Sequence, residues 1–377
     1  MAAQKYKTII IGGGVAGLSC AFNLSKHTKD FLLITEDIGG RIMTSTDGKI
    51  NYGAYYIMDN YEHINQFVEQ KDRLTLQNSL FHSKNGTYTL FNPRFFLHIP
   101  ELLRLVLILR KFCKNYLLFR KKCENLSQIE ALNEMPYLRE LYDLGASEFV
   151  REKGLFQLVD TYMSKVIYGT AFLPLTEINA FSFLQFTLPL ISKSYSFSFS
   201  PSKIVEDFKN QIEINSAIGV TAQKDKYIVK TNKTEYEATN LILATPPNTT
   251  AKLLGMDTPK GGVNVHMLHI EGKLKSRYEK FDFHFFDSNS QILVISKQED
   301  NSFLLYSKDK DPDLSEYFNN WKIIISHFWN PAFHLQKHPL ADNDIKRNLF
   351  VIGDYNVCGL EDSFVTGIYA ANKILHK

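Results

Sequence analysis

The sequence predicts an α/β fold organised around its N-terminal stretch, residues 6–41. Residues 8–11 form a short apolar run rich in β-branched side chains, which is typical of a buried strand. Three consecutive glycines, Gly12 to Gly14, close this run. Apolar residues then recur at helical spacing as far as Lys26. The segment is therefore predicted to fold as a strand, a tight turn and a helix.

The glycines of this turn have the spacing of a dinucleotide-binding motif. Gly12, Gly14 and Gly17 match G-x-G-x-x-G, in which the first glycine permits the turn, the second lets the backbone approach a pyrophosphate, and the third lets the helix pack on the strand. The first helical N–H groups, at Val15 and Ala16, would face the phosphates. A glycine turn without any ligand is the competing interpretation.

A carboxylate follows the second predicted strand. The apolar run at residues 31–34 ends two residues before Glu36. A carboxylate in this position can accept hydrogen bonds from both hydroxyls of an adenosine ribose. The order of strand, turn, helix, strand and acid strengthens the prediction that the glycine turn binds a dinucleotide.

Residues 36–41, Glu-Asp-Ile-Gly-Gly-Arg, resemble the flavin-containing amine oxidase superfamily, which includes protoporphyrinogen oxidases and phytoene-type desaturases. In that family the ribose glutamate is followed by Gly-Gly-Arg, whose backbone and guanidinium lie along the FAD pyrophosphate and near the flavin. The resemblance implies that Gly39, Gly40 and Arg41 contact FAD. It also implies an α/β fold with a GR2-like, Rossmann-type FAD-binding domain and an inserted α+β substrate domain.

Later segments extend the resemblance over nearly the whole chain. The apolar strand at 241–243 ends in Ala-Thr-Pro, and the strand at 348–352 ends in Gly-Asp shortly before a helix. The N-terminus of that helix would stabilise the negative charge of reduced flavin. One further strand would supply a backbone contact on the adenine side. The residues that the resemblance assigns to FAD here are Ile218, Ala244, Thr245, Pro246, Gly353, Asp354, Ser363 and Phe364.

The resemblance also implies how the chain divides and how the cofactor is held. The expected FAD-binding domain comprises residues 1–75, 200–258 and 340–377, and the expected substrate-binding domain comprises residues 76–199 and 259–339. Some relatives attach their flavin through a cysteine thioether before the Gly-Asp motif. Cys358 lies after Asp354, so we expect FAD to be bound non-covalently.

The composition narrows the class of protein. The 377 residues are 44% hydrophobic and 22% charged, which is ordinary for a globular chain with a large core and room for two domains. A net charge of +3 does not indicate nucleic-acid binding.

The four cysteines show no C-x-x-C pair and no metal-ligand spacing, so we expect no metal site and a reducing cytoplasm. The short N-terminus and the lack of an 18-residue apolar run predict neither a signal peptide nor a membrane span.

One segment, residues 94–122, has a different character. It carries eight basic residues against a single acid, Glu101, a net charge of +7, with aromatic and aliphatic residues interleaved. A basic amphipathic helix of this kind is typical of one that lies on an anionic membrane surface. The competing interpretation is a helical cover of the substrate domain with a solvated basic face. Peripheral membrane contact through 94–122 is thus one of two open hypotheses.

Two residues are candidates for the catalytic site. Many amine oxidases carry a lysine that holds a water against flavin N5, in a strand that corresponds here to residues 262–268; this chain has no lysine there, and His266 is near its place. Trp329 begins a Trp-Asn-Pro-Ala segment that resembles the family's Trp-x-x-Ala, whose side chains approach the flavin ring. A structural strand histidine and a core aromatic turn are the competing interpretations.

The resemblance implies an enzyme, an FAD-dependent oxidase or desaturase that takes hydride from a substrate C–H onto flavin N5 and passes it to oxygen or another acceptor. Amine oxidases flank the amine with two rings, and Cys358-Gly359 stand where one ring is expected. With the missing lysine, this favours a lipophilic or polycyclic substrate of the desaturase or protoporphyrinogen type, held by the Phe-rich run at 181–199. The alternatives are an amine oxidase for a small amine or polyamine, and a flavin-binding scaffold without turnover.

Overall fold

The computed structural model describes residues 4–54, 56–257, 260–335 and 340–376. Its strands are β1 (Gln4–Ile11), β2 (Phe31–Thr35), β3 (Ile57–Met58), β4 (Val68–Leu74), β5 (Ser79–Ser83), β6 (Gly86–Thr89), β7 (Ser194–Phe199), β8 (Ile212–Ile214), β9 (Ala217–Gln223), β10 (Lys226–Thr231), β11 (Glu235–Leu243), β12 (Gly262–Leu274), β13 (Phe283–Phe285), β14 (Ile292–Lys297), β15 (Phe303–Ser307), β16 (Phe318–His334), β17 (Asp344–Lys346) and β18 (Leu349–Val351).

The α-helices are α1 (Val15–Ser25), α2 (Ile99–Lys122), α3 (Gln128–Asn133), α4 (Pro136–Asp143), α5 (Ala146–Glu152), α6 (Phe156–Leu158), α7 (Ser164–Ala171), α8 (Ala180–Thr187), α9 (Pro201–Val205), α10 (Pro247–Leu254) and α11 (Leu360–Leu375). Short 3-10 helices lie at Ile64–Phe67, Pro93–His98, Leu175–Glu177, Leu188–Leu190 and Glu206–Gln211, and one π-helical turn lies at Val159–Met163.

The largest sheet is built from three separate parts of the chain. Its main path runs β17-β18-β11-β1-β2-β8, and β10 and β9 continue from β11. The pairs of β1 with β2 and β11, of β2 with β8, and of β11 with β18 are all parallel. The carboxyl ends of these strands therefore meet at one edge, which is where open α/β sheets bind ligands.

The central strands form because both of their faces are buried. In β1, Ile10 packs into the core that contains α1, whereas Ile9 and Ile11 pack into a second core on the opposite face. Such strands are expected to consist of continuous apolar residues, not of alternating ones. This explains why the run at 8–11 could be predicted from the sequence.

Two helices cross tightly over this sheet. At Gly367 in α11, a Cβ atom would lie 2.3 Å from the carbonyl oxygen of Ala16 and 2.8 Å from the amide nitrogen of Cys20 in α1. Only glycine permits that separation. The contact brings the start of α11 to the same edge of the sheet as the start of α1.

A second sheet has seven strands in the order β16-β12-β15-β14-β13-β5-β6, and a small sheet has the order β3-β7-β4. Helices α2 to α8 lie between β6 and β7 in the sequence and share the large core with both sheets. The antiparallel pair β5–β6 forms a hairpin whose second strand begins at Gly86. Helix α3 begins with a reciprocal capping box, formed by the Ser127 hydroxyl and the Glu130 carboxylate.

The long strand β16 carries no clear strand pattern in the sequence. It pairs with β12 over almost its whole 17 residues, and residues 319–324 are exposed, so the sequence there lacks a burial pattern. Among the residues that the structure describes, no helix has the length and apolarity needed to cross a membrane.

A buried histidine pair lies in the seven-stranded sheet. His82 Nε2 and His284 Nδ1 are 3.2 Å apart, and aromatic residues enclose the pair. Burial lowers the pKa of His82 to about 4, assisted by the charge of Arg277. Burial, with the neighbouring His82, lowers the pKa of His284 to about 3. Both rings are therefore neutral in the folded protein at pH 7.

We predict that this pair makes the fold acid-sensitive. In the unfolded chain each imidazole takes up a proton near pH 6.5, so the unfolded state binds more protons as the pH falls from about 6.5 towards 4, and the free energy of unfolding decreases. The expected loss between pH 7 and pH 4.5 is roughly 2 kcal/mol for each imidazole. Urea unfolding at several pH values measures it.

The control uses an exposed histidine. His284→Leu should flatten the dependence of the unfolding free energy on pH, whereas His27→Gln, at an exposed position, should leave the dependence unchanged. An unchanged slope in His284→Leu would show that carboxylates and not this pair cause the acid sensitivity.

Candidate active site

One cavity of about 510 Å³ extends along the carboxyl edge of the large sheet. This volume is within the range of about 300–1,000 Å³ that is common for ligand sites. The turn after β1, the ends of β2 and β11, and the segments at 352–354 and 358–363 line one part of the wall. Residues from α7, α8, β15 and β16 line the other part.

The glycine turn after β1 has the geometry that its spacing predicts. Gly12 has a φ of +110°, and a Cβ atom there would lie 2.6 Å from the Ala244 carbonyl oxygen. A Cβ atom at Gly17 would lie 1.9 Å from the Gly12 carbonyl oxygen, so this glycine serves packing. A Cβ atom at Gly14 would meet no atom within 4 Å, and Gly14 lines the cavity. A side chain at Gly14 would therefore occupy cavity space.

The start of α1 also faces the cavity. Val15 and Ala16 line it, and α1 has no side-chain cap at Gly14. The first N–H groups of a helix have no partner within the helix and carry the positive end of its dipole. This end of the cavity is therefore suited to an anion such as a pyrophosphate.

Glu36 lies at the end of β2 with its carboxylate exposed in the cavity wall. Ser216 donates its hydroxyl hydrogen bond to Glu36 Oε1 at 2.7 Å. Nearby, Thr35 Oγ1 accepts from the Gly13 N–H at 2.8 Å and donates to the Asp37 carbonyl at 2.6 Å. No sequence motif identifies this threonine, which holds the end of β2 against the glycine turn.

The loop after β2 packs directly on the glycine turn. The Gly39 N–H donates to the Gly13 carbonyl at 2.8 Å. Gly39 and Gly40 have φ values of +112° and +57°, and a Cβ atom at Gly40 would lie 2.9 Å from Gly14 Cα. The Gly-Gly of this loop is thus required by both backbone conformation and space.

Arg41 forms an ion pair with Asp354. Its Nη1 donates to Asp354 Oδ2 at 2.7 Å and to the Ala332 carbonyl at 2.8 Å, while its Nη2 pairs with Asp354 Oδ1. Asp354 also accepts from the His334 N–H at 3.1 Å. Burial alone raises the pKa of Asp354, but the charge and hydrogen bonds of Arg41 outweigh it and hold the pKa below its usual value.

The far part of the cavity has an aromatic wall. The Phe172 ring lies 5.0 Å from the Tyr306 ring and 5.5 Å from the Phe333 ring, measured between centroids. Trp329 Nε1 and the Tyr306 hydroxyl both donate to the Tyr52 carbonyl, at 3.2 and 2.9 Å. The charged residues among the described lining residues, Glu36, Asp37, Arg41 and Asp354, all belong to the other part. The aromatic part of the described wall is therefore uncharged.

Most of the residues assigned from the sequence come together in this cavity. Those in its wall are Gly12, Gly14, Val15, Ala16, Glu36, Gly39, Gly40, Arg41, Ala244, Thr245, Pro246, Trp329, Gly353, Asp354 and Ser363. Gly17 lies behind the wall, where it permits the close packing of α1.

Two more of the residues assigned to FAD, Ile218 and Phe364, also lie outside the cavity wall. Ile218 has a half-exposed side chain outside the cavity wall, and its neighbour Ala217 lines the wall instead. Phe364 is buried behind the wall against His63 and Phe67.

The assignment of His266 to the catalytic site is wrong. Its ring stacks on that of Phe328 at 4.4 Å, and Phe328 is an exposed residue of β16. The neighbouring positions Val265 and Met267 belong to the buried core, so alternation along β12 turns His266 to the opposite face. The register of the β12–β16 pair decides this orientation.

Several residues of the aromatic wall could not be identified from the sequence. Of the Phe-rich run, Gln185 and Phe186 line the cavity, whereas Phe181, Phe183 and Phe197 are fully buried in the core. Other lining residues lie far apart in the sequence and carry no motif: Tyr61, Thr170, Phe172, Tyr306 and Phe333.

A known family matches the N-terminal part of the chain, which contains the glycine turn. A family model described as an NAD(P)-binding Rossmann-like domain matches residues 10–70. No curated protein matches the chain by sequence.

Among solved structures, the chain resembles a putrescine oxidase with bound putrescine (13% identity, all of both chains, TM-score 0.68). It also resembles a fatty acid isomerase from P. acnes that produces CLA (14%, 98% of both chains, TM-score 0.69). A third match is the cyclohexylamine oxidase from Brevibacterium oxydans IH-35A (11%, 98% of both chains, TM-score 0.68). These identities are low, and the similarity over the full length is one of fold. The resemblance seen in the sequence is confirmed at that level, because the chain has the fold that these two oxidases and the isomerase share.

Proposed function

We propose that this protein is an FAD-dependent oxidoreductase that takes hydride from a C–H bond of a lipophilic or polycyclic substrate, in the manner of a desaturase or a protoporphyrinogen oxidase. The observation that carries the proposal is one cavity with two parts. Its dinucleotide cradle is formed by the glycine turn after β1, the start of α1, Glu36, Arg41 and Asp354, and its uncharged aromatic wall is formed by Phe172, Tyr306, Trp329 and Phe333. Bound FAD would supply the hydride acceptor, and oxygen or another compound would reoxidise it.

The cradle fits the two halves of FAD. The free space at Gly14 and the N-terminus of α1 suit the pyrophosphate. Glu36 would accept from the ribose hydroxyls, and Arg41, fixed by Asp354, would lie along the phosphates near the flavin. Ser363, in the first turn of α11, would face the flavin itself. On the adenine side, Ala217 would supply the backbone contact that the resemblance assigns to Ile218.

The proposed domain division follows from this assignment. Residues 1–75, 200–258 and 340–377 would hold FAD, and residues 76–199 and 259–339 would hold the substrate. The large parallel sheet draws its strands from the first set, and the seven-stranded sheet draws its strands from the second, which supports the division.

The aromatic wall supports a lipophilic substrate. Burying apolar surface against Phe172, Tyr306 and Phe333 contributes roughly 25 cal/mol for each Å². A charged ammonium would lose its hydration there without gaining a counter-ion from the described residues of the aromatic wall. An oxidase for a small amine, bound as the neutral base, is the second candidate; the aromatic rings near Trp329 favour it.

We predict that the purified protein is yellow and releases FAD, not FMN, into the supernatant on acid precipitation. Glu36→Ala should weaken FAD binding by roughly 1.5–3 kcal/mol, about 10- to 100-fold, because hydrogen bonds to a charged group are lost. Fluorescence titration of the apoprotein with FAD measures the affinity. Glu69→Ala removes an exposed carboxylate of β4 and should leave the affinity unchanged. A colourless protein that cannot be reconstituted with FAD would refute the proposal.

We predict that lipophilic compounds reduce the bound flavin faster than small amines do. Anaerobic bleaching of the flavin is followed with protoporphyrinogen, a polyene, putrescine and benzylamine, each compared with free FAD as the background. The uncharged wall should orient the first two compounds against the flavin. Rapid bleaching by an amine alone would restore the amine oxidase alternative. Stable FAD binding without any bleaching would favour a scaffold.

We also propose that residues 94–122 contact an anionic membrane surface in the cytoplasm. The inner face of α2, with Leu105, Leu109 and Phe112, is buried in the core. On the outer face and in the preceding turn, Leu97, Leu103 and Leu107 are 77%, 61% and 64% exposed. Exposed basic residues follow further along α2: Arg110, Lys111, Lys114, Lys121 and Lys122. An apolar patch beside a basic one suits an anionic lipid surface.

We predict that the protein sediments with vesicles containing phosphatidylserine and not with pure phosphatidylcholine. Each basic residue at the surface contributes about 1 kcal/mol, and rising salt should release the protein. Leu103→Ser with Leu107→Ser should abolish the association, whereas Ile323→Ser, at an exposed apolar position on β16, should not affect it. Equal and negligible sedimentation with both lipids would leave the basic face of α2 as a solvated surface.

A further inference from the structure

Gln185 is a buried amide residue in the wall of the cavity. It lies in α8 beside Phe186, and the cavity segment Cys358-Gly359 lies across from it. Its side chain is almost fully enclosed, with the residue 8% exposed. Burying a polar amide in such surroundings costs free energy unless its donors and acceptor find partners. The hydrogen bonds of Gln185 are therefore informative about what the cavity binds.

A buried network fixes the orientation of the Gln185 amide. Asp362, paired with Arg120 at 3.0 Å, is a carboxylate that can only accept hydrogen bonds. The Tyr116 hydroxyl therefore donates to Asp362 Oδ2, at 2.7 Å. Because the one hydrogen of the hydroxyl is used in that bond, the Tyr116 oxygen can only accept from its other two neighbours. These are Arg120 Nη2 at 3.1 Å and Gln185 Nε2 at 2.8 Å. The amide nitrogen of Gln185 is thus held on the side of Tyr116.

The second N–H of the amide is used as well. Gln185 Nε2 also donates to the Cys358 carbonyl. The backbone approaches the network closely, because a Cβ atom at Gly359 would lie 3.3 Å from Gln185 Nε2 and 2.8 Å from Asp362 Oδ2. Gly359 has a φ of +134°, which also favours glycine. Both amide donors therefore have fixed partners within the protein.

The amide oxygen has much weaker protein partners. In the described part of the chain, Gln185 Oε1 accepts only from the Cys358 thiol, at 3.9 Å. A thiol is a weak donor, and an amide oxygen has two lone pairs. Three other polar groups of the wall have partners within the protein. The Tyr306 hydroxyl and Trp329 Nε1 donate to the Tyr52 carbonyl, and the Thr170 hydroxyl donates to the Val166 carbonyl.

We propose that Gln185 Oε1 is the acceptor that recognises the substrate, and that the substrate is an apolar, ring-sized molecule with one neutral N–H or O–H donor. This inference rests on the proposed function, because it concerns the substrate end of the same cavity. Tyr116, Asp362 and Arg120 are positioning residues, which act by presenting the oxygen and not the nitrogen of the amide. The absence of charged residues from the described aromatic wall restricts the donor to a neutral group.

The test compares ligands that differ by one donor. Indole and 1-methylindole, and likewise phenol and anisole, are titrated into the FAD-containing protein by calorimetry. We expect the donor-bearing member of each pair to bind about five-fold more tightly, the effect of one hydrogen bond. Equal affinities within both pairs would overturn the inference.

Three variants test whether the Gln185 amide causes the preference for the donor-bearing ligand. Gln185→Met keeps the size of the side chain and should abolish the preference. Tyr116→Phe removes the hydroxyl that orients the amide and should reduce the preference while circular dichroism remains unchanged. Phe186→Leu alters the neighbouring wall residue and should weaken both members of a pair equally. Retention of the full preference in Gln185→Met, or in Tyr116→Phe if the first variant does not fold, would contradict the inference.

The titration is independent of turnover. Calorimetry on the apoprotein gives the same comparison if the protein is isolated without FAD. Failure of the proposed function would appear as a lack of FAD binding or of flavin bleaching, with the donor preference intact. Failure of the inference would appear as a lost preference in a protein that still binds FAD.

Discussion

The ion pair between Arg41 and Asp354 connects the parts of the cavity. Arg41 belongs to the loop after β2, Asp354 follows β18, and the Ala332 carbonyl and the His334 N–H of β16 complete the cluster. Residues separated by about 300 positions are thereby held within hydrogen-bond distance. A pair of this kind, largely removed from water, is costly to break, because removal of one partner leaves the other uncompensated. The two sheets meet at this point, so the dinucleotide cradle and the aromatic wall depend on it.

The start of α11 is held by two carboxylates. Glu361 accepts from the N–H groups of Glu62, His63 and Ile64, at 2.8 to 3.0 Å. Asp362 binds Arg120 of α2. Negative charge is favourable at a helix N-terminus, so both interactions agree with the helix dipole. They place the first turn of α11 where it lines the cavity, and they connect α2, whose outer face is apolar and basic, to the network that orients Gln185.

Charge is segregated within the cavity. Among the described wall residues, Glu36 and Asp37 lie beside the glycine turn and the Arg41–Asp354 pair lies against β16, whereas the side chains near Trp329 are uncharged rings. The same fold is found in structures described as a putrescine oxidase and as a fatty acid isomerase, which bind very different molecules. Since one fold holds sites for such different molecules, we expect the side chains of α7, α8, β15 and β16 in the cavity wall to determine which molecule this protein accepts.

The sequence by itself determined the cradle. Gly12, Gly14 and Glu36 could be predicted because each meets a local demand, for a positive φ, a close backbone approach or the end of a buried strand, which neighbouring residues express directly. Arg41 could be predicted only from the family resemblance of the Gly-Gly-Arg segment that it ends. The aromatic wall, the orientation of Gln185 and the outward face of His266 were decided only by tertiary structure. These features depend on which segments pack together, and in what register their strands pair, between parts of the chain that lie far apart in the sequence. No local pattern encodes that choice, since a shift of one residue turns every side chain of a strand to the other face.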